Sequence, residues 1–152
     1  MQDEEQKCLN RAVSLLSRVS YSKKRLNDKL RGKFAQSTID ATIKELEELG
    51  LYSETKEIGV WLRYYQGGKK SRREIEYALL QKGFPKSLIL EQLESLDEQR
   101  DEEVLKILVE QLKNRNNLND EKIFMRLLRK GFASNSIKKI IRELSSEDSE
   151  LY

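Results

Sequence analysis

Lys69, Lys70, Arg72 and Arg73 stand almost side by side, directly after Gly67-Gly68 and around Ser71. Four cations in so short a span are suited to one chemistry above others, the binding of phosphates or carboxylates. Each Lys or Arg that meets a phosphate on a polyanion releases condensed counterions. The cluster joins a flexible turn to the start of a predicted helix. Cations there oppose the helix dipole, at about 0.3–1 kcal/mol each, so local stability gives no reason for all four. A second arrangement stays open, in which Ser71 caps the helix and leaves the two lysines in the loop. Arg63, Tyr64, Tyr65 and Trp61 lie just ahead, and aromatic rings there could stack on bases. Ile58, Trp61, Leu62 and Tyr65 fall at i, i+3, i+4, i+7, an inward helical face. That spacing predicts Trp61 in the core and leaves Tyr64 off the stripe as the surface candidate.

Comparable basic runs occur twice more. Between Arg18 and Lys33 lie seven basic residues, including Lys23, Lys24 and Arg25, against Asp28 alone. Between Lys122 and Arg142 lie seven, including Arg126, Arg129 and Lys130, with no acid. From Glu91 to Glu103 the balance inverts, with seven acids against Arg100. Solvation of exposed helix faces explains any one such run. Recurrence raises the alternative, a repeated basic stripe facing a polyanion or an acidic groove.

Catalytic chemistry finds little footing. The chain has no histidine, so imidazole is missing as base, proton shuttle or metal ligand. Cys8 is the only cysteine. It excludes an internal disulfide, fits a reducing compartment, and reads as a small buried side chain beside Val13, Leu15 and Leu16. Gly67-Gly68-Lys69 lacks the preceding strand and full spacing of a phosphate loop. No catalytic residue, metal or cofactor is expected, and the protein is not read as an enzyme. Three sequence-specific helix-turn-helix readers are also disfavoured. The helices after Phe34 and Phe84 carry Glu45, Glu47 and Glu48, and Glu91 and Glu94, whereas a major-groove helix needs a polar or basic face.

The elements that hold these charges form a repeat. Leu30-Arg31-Gly32-Lys33-Phe34 precedes Ile39, Ile43 and Leu46. Leu80-Gln81-Lys82-Gly83-Phe84 precedes Ile89, Leu93 and Leu96. Leu128-Arg129-Lys130-Gly131-Phe132 precedes Ile137, Ile141 and Leu144. The period is near fifty residues, which denotes one unit stacked on itself. Spacings of i, i+4, i+7 after each Phe mark a helix. A second helix precedes it, and a third lies ahead over roughly 4–19, 54–66 and 100–114. The expected architecture is all-α, three tandem three-helix repeats over 1–51, 52–97 and 98–146, with an acidic tail at 147–152. Gly83 and Gly131 sit where a left-handed residue would end the second helix, and Phe84 and Phe132 follow it. In the first copy Gly32 comes one residue early. Lys33 then holds the glycine position, at an expected cost of about 1 kcal/mol. Pro85 suits a first helical turn. Gly67-Gly68 and Asn114 to Asn119 are predicted breaks, and the end from Ser145 is expected to fray.

With 152 residues, 38% hydrophobic and 36% charged, the chain suits a small helical array with a thin core. Its 29 basic residues nearly cancel 26 acidic ones. No run of apolar residues reaches a membrane span, and the first twenty residues do not look like a signal peptide. A cytoplasmic monomer is expected.

Four stretches together resemble the RecX family of bacterial recombination regulators. They are Leu15-Leu16-Ser17-Arg18 with Ser22 and Leu26 to Leu30; Leu49-Gly50-Leu51 leading into the helix with Trp61; Lys69 to Arg73 with Ile75, Leu79 and Lys82-Gly83; and Leu127-Leu128-Arg129-Lys130-Gly131-Phe132. The chain departs from the family's usual pattern at Ser53-Glu54, where an Asp pair is usual, and at Lys70-Ser71, where a Gly-Pro element is usual. The resemblance implies an elongated, curved array that binds the RecA recombinase filament along its groove. It implies inhibition of recombination, ATPase and coprotease activities, a place in DNA repair and the SOS response, and weaker, non-specific contact with single- or double-stranded DNA. The residues expected to carry binding are Lys23, Lys24, Arg25, Arg63, Tyr64, Lys69, Lys70, Arg72, Arg73, Arg126, Arg129 and Lys130. Two other classes stand beside it: a direct DNA binder acting without a recombinase, and a repeat scaffold for another protein.

Overall fold

The computed structural model describes residues 2–97 and 99–150, with side chains left out at Gln2 and at 147–150. Nine helices occur among the described residues: α1 (Gln2–Leu16), α2 (Lys23–Leu30), α3 (Gln36–Glu48), α4 (Glu54–Gln66), α5 (Arg72–Gln81), α6 (Lys86–Leu93), α7 (Arg100–Asn114), α8 (Asp120–Arg129) and α9 (Ser134–Glu150). The fold is all-α, and the only extended pairing described is an isolated bridge between Arg31 and Phe34. The order and positions of these helices fit the predicted period. Gly67-Gly68 and the stretch between α7 and α8 are the expected breaks. In the latter, Asn117 adopts a left-handed φ of 56°, which Asn tolerates better than most residues.

Two compact units partition the chain. One holds the residues up to Tyr64 with Ala78–Gln92; the second holds Tyr65–Tyr77 with those from Leu93 onward. In the first, Cys8, Ala12 and Leu15 of α1 pack with Leu26 and Leu30 of α2, Ile39, Ile43 and Leu46 of α3, and Tyr52. These are the apolar positions of three amphipathic helices, each turned to a common interior. Cys8 is fully buried there, as expected, and burial pushes its thiol pKa up. The Tyr52 hydroxyl donates to the Tyr21 carbonyl at 3.0 Å, so the one polar atom of that ring is satisfied. Burial, with Glu54, Glu57 and Glu47 nearby, pushes its pKa upward.

The second unit repeats the plan. Val104, Leu105, Leu108 and Val109 of α7 pack with Ile123 and Leu127 of α8, Phe132, and Ile137 and Ile140 of α9. Truncating a fully buried Leu or Ile in either core to Ala is expected to cost about 2–5 kcal/mol.

The joints between second and third helices follow the predicted mechanism twice. Gly83 has φ +91°; its N–H reaches the Leu80 carbonyl at 2.9 Å, and Phe84 N–H reaches Leu79 at 3.3 Å. Gly131 has φ +99°, with the equivalent bonds to Leu128 at 3.0 Å and Leu127 at 3.3 Å. This paired bonding satisfies the last carbonyls of each helix.

The first joint corrects the sequence expectation. Lys33 does not take a left-handed conformation, so the anticipated strain does not arise. Instead α2 ends early. Arg31 is extended at φ −62°, ψ 141°, and Gly32 itself takes φ +90°. Lys33 and Phe34 both donate to the Leu30 carbonyl, at 3.3 Å each. A glycine one residue early is thus used where it stands.

Two helix ends also differ from expectation. α1 stops at Leu16, short of residue 19, because the Ser17 hydroxyl turns back onto the Ser14 carbonyl at 2.7 Å and Arg18 N–H bonds Leu15 at 3.1 Å. Such bonds tighten and end a last turn. α9 runs on to Glu150, past Ser145, where fraying is expected. The last two residues of the acidic tail lie outside the described residues.

A Cβ on Gly131 would sit 2.9 Å from Arg73 Cβ, whereas a Cβ on Gly32 meets nothing within 4 Å. Gly32→Ala should therefore lose only the conformational term, about 1–2 kcal/mol. Gly131→Ala should lose that and a further ~1–3 kcal/mol of overpacking. Urea unfolding of the two variants checks this, and equal losses would contradict it.

Candidate interaction surface

Each unit is organised around one serine at the start of a second helix. Ser22 caps α2, accepting the Arg25 N–H at 3.1 Å. Its hydroxyl also donates to the Lys82 carbonyl at 2.8 Å, just ahead of Gly83. Ser71 repeats this at α5, accepting Glu74 N–H at 3.0 Å and donating to the Lys130 carbonyl at 2.8 Å, just ahead of Gly131. Ser22 and Ser71 are 1% and 0% exposed. In each case one hydroxyl closes a helix N-terminus and a helix C-terminus distant in sequence.

Of the two arrangements open for Ser71, the structure has the capping one. Glu74 Oε1 accepts the Ser71 N–H at 3.0 Å, completing a reciprocal capping box. Lys69 and Lys70 lie in the loop, and Arg72 and Arg73 open the helix. The dipole penalty on those cations is offset by two carboxylates. Glu74 is one; the other is Asp101, which accepts Arg72 N–H at 3.1 Å.

The loop before Ser71 is held from inside by Arg100. This side chain is 8% exposed. Nη1 donates to the Lys70 carbonyl at 2.8 Å, and Nη2 donates to Tyr65 at 3.0 Å and Gly68 at 3.4 Å. Asp101 accompanies the charge at 3.4 Å. A planar guanidinium can satisfy several carbonyls at once in fixed geometry, and here it clamps Gly67-Gly68-Lys69-Lys70 from below. Sequence reasoning missed this role. The one available signal was a lone base inside the acidic run.

That run is partly consumed within the second unit. Asp101 serves Arg72 and Arg100, and Glu102 pairs with Lys139 at 3.3 Å. Glu98, a member of the run, lies outside the described residues.

In the first unit the predicted basic residues meet different fates. Lys23 pairs with Glu47 at 3.2 Å, and its N–H donates to Glu54 at 2.8 Å. The start of α2 is therefore mixed in charge. Lys24 and Arg63 are exposed. Arg25 donates from Nη2 to the Gln81 carbonyl at 3.0 Å. Trp61 corrects expectation, for it is half-buried rather than core. Its indole N–H donates to the Ser20 carbonyl at 2.7 Å, and Lys82 Nζ lies 3.6 Å from its ring centroid. A polar indole edge with a fixed acceptor draws the ring to the rim of the interior. Tyr64 is 71% exposed, edge-on to Trp61 with centroids 6.1 Å apart. Arg25, Lys82, Trp61 and Tyr64 form one aromatic and basic neighbourhood. Lys82, absent from the predicted set, occupies the same repeat position as Lys130, which was in it.

In the second unit Lys69, Lys70 and Arg73 are exposed, and Arg72 is half-buried. Lys70 Nζ lies 5.9 Å from the Tyr65 ring. The Arg73 stem packs at Gly131, and Lys130 reaches Glu74 at 3.9 Å. Ser71 thus brings Arg73 and Lys130 together. Arg126 and Arg129 line a separate concavity of about 520 Å³ on α8, with Lys122 and the exposed Met125.

No group of His, Cys, Asp and Glu able to hold a metal occurs among the described residues. No described helix is long and apolar enough to cross a membrane.

No family profile matches the chain. Curated relatives do. It is 28% identical over 156 residues to the regulatory protein RecX of Clostridium perfringens, covering 97% of this chain and 73% of the relative. It is 26% identical over 150 residues to that of Chlorobium phaeobacteroides, covering 93% and 95%. The crystal structure of RecX from Lactobacillus salivarius superposes with a TM-score of 0.86 at 27% identity, over 95% of this chain and 99% of that one. A second RecX crystal structure, 21% identical, shares the fold at a TM-score of 0.79. In sequence and in fold the chain is similar to RecX regulatory proteins.

Arg100→Met should leave the carbonyls of Tyr65, Gly68 and Lys70 without their shared donor. We expect a loss of about 2–3 kcal/mol and faster trypsin cleavage after Lys69 and Lys70, with the first unit's core amides unchanged in hydrogen exchange. Unaltered cleavage would show that Arg100 does not hold the loop.

Proposed function

We propose that this protein regulates the RecA recombinase by binding its filament and limiting its growth, and with it recombination, ATP hydrolysis and coprotease activity. The observation that carries the reading is the loop Gly67 to Lys70. A buried arginine fixes its backbone, yet its lysines project into solvent. A fixed backbone under mobile cations lowers the ordering cost of binding an anionic partner surface. The binding set is Lys23, Lys24, Arg25, Arg63, Tyr64, Lys69, Lys70, Arg72, Arg73, Arg126, Arg129 and Lys130. Within it, Lys69, Lys70 and Arg73 contribute most, and Lys23 least, because Glu47 already pairs it. The repeats at 1–51, 52–97 and 98–146 act as one multivalent cytoplasmic monomer, and contacts to adjacent filament subunits add by effective concentration.

A second reading, direct DNA binding without a recombinase, is favoured by the α8 concavity. Lys122, Arg126 and Arg129 line it beside one acid, Glu121, so the concavity is basic on balance. Three phosphate contacts would give a salt slope of roughly −2 to −3 in log K against log salt.

Recombinase ATP hydrolysis on single-stranded DNA separates the two. With this protein far below the recombinase concentration, we expect strong inhibition. The variant carrying Lys69→Glu, Lys70→Glu, Arg72→Glu and Arg73→Glu, checked for native helicity, should lose it. Inhibition only when the DNA itself is saturated would support the DNA-binding reading instead.

A further inference from the structure

A depression of about 150 Å³ in the first unit is lined by residues 19–22, Arg25, Trp61 and Lys82. It combines an amine, an anion-binding fork and a rigid wall. Lys82 is half-buried, its Nζ held 3.6 Å from the Trp61 ring centroid. The ring is fixed by its indole N–H on the Ser20 carbonyl at 2.7 Å. Arg25 is exposed but tethered, with Nη2 on the Gln81 carbonyl at 3.0 Å, which leaves its other guanidinium N–H groups for an incoming anion. We propose that Lys82 is a modification site, acylated directly by small acyl phosphates whose phosphate is received by Arg25.

The groups present suit each part of the reaction. Arg binds phosphate through paired N–H donors. A neutral lysine amine is the nucleophile, and burial followed by the Arg25 charge pushes the Lys82 pKa down, which raises the neutral fraction. The indole face favours the cation and opposes this; rotation of the terminal amine off the ring releases it for attack. The nitrogen lone pair adds to the acyl carbonyl carbon, a C–N bond forms, and the acyl C–O bond to phosphate breaks. Phosphate leaves with the bonding pair, and the amine proton passes to it or to water. The depression, at about 150 Å³, has room for a compact acyl phosphate. The product is a neutral amide, so the cation over Trp61 is lost. Because Ser22 holds the Lys82 backbone carbonyl and not its side chain, the serine seat persists. The site shares Arg25 with the proposed binding set, but the acylation chemistry needs no recombinase.

The test incubates the intact protein with acetyl phosphate and follows each lysine by mass spectrometry, with emission from the single tryptophan read in parallel. Lys82 should be acetylated several-fold faster than the exposed Lys69 and Lys122, with a change in Trp61 emission at the same rate. Arg25→Gln should slow acetyl phosphate at Lys82 several-fold but leave its reaction with the uncharged N-hydroxysuccinimidyl acetate unchanged. Lys82 reacting no faster than exposed lysines would overturn the proposal. So would equal slowing of both reagents in Arg25→Gln, since Arg25 would then act by packing and not by receiving phosphate.

Discussion

One hydroxyl with two partners is the constraint on which each unit depends. Ser22 and Ser71 each accept an N–H from their own helix and donate to a carbonyl some sixty residues away, at 2.8 Å in both cases. The donation sets a helix N-terminus against a helix C-terminus, so opposite dipole ends meet. It also dictates the residue after that carbonyl. A Cβ on Gly83 would lie 2.8 Å from Ser22 Oγ, and one on Gly131 2.9 Å from Arg73 Cβ. Glycine at these positions therefore answers two demands at once, a left-handed backbone and a close neighbour. Gly32 has no such neighbour and answers only the first.

The same contact places the charges. By seating the start of α5, Ser71 fixes where the loop of Lys69 and Lys70 must leave the helix, and Arg100 then ties the loop's carbonyls underneath. Basic residues are affordable at this helix start because Glu74 and Asp101 take up the exposed N–H groups. Cations thus reach solvent from a backbone whose Tyr65, Gly68 and Lys70 carbonyls are tied down. That arrangement separates the second unit's basic surface from a merely solvated helix face, whose lysines need no such support.

Much of this was legible in the sequence, and the reasons are local. The three Phe copies and the apolar spacings after them gave the helix pattern, because helical periodicity needs only neighbouring residues. Gly83 and Gly131 announced their own helix ends. Gly32 also did, but a strict alignment of the copies hid it, since the chain shortened α2 and did not strain Lys33. Trp61 sat on the apolar stripe, yet its indole N–H found the Ser20 carbonyl and Lys82 covered its face. Periodicity registers direction and cannot register such polar anchoring. Arg100 and the second partners of Ser22 and Ser71 were invisible for a related reason. Side chain to backbone bonds between residues thirty to sixty positions apart leave no spacing rule in one sequence.

The most direct test is a double-mutant cycle between Ser22 and Gly83, read by urea unfolding. If the hydroxyl seat and the glycine notch are one device, Gly83→Ala should cost less in a Ser22→Ala background, where the atom at 2.8 Å is gone and the remaining neighbours lie at 3.5 and 3.6 Å. A coupling of about 1 kcal/mol or more is the expected result. Strictly additive losses would mean that the serine and the glycine act separately and that the shared contact does not organise the unit.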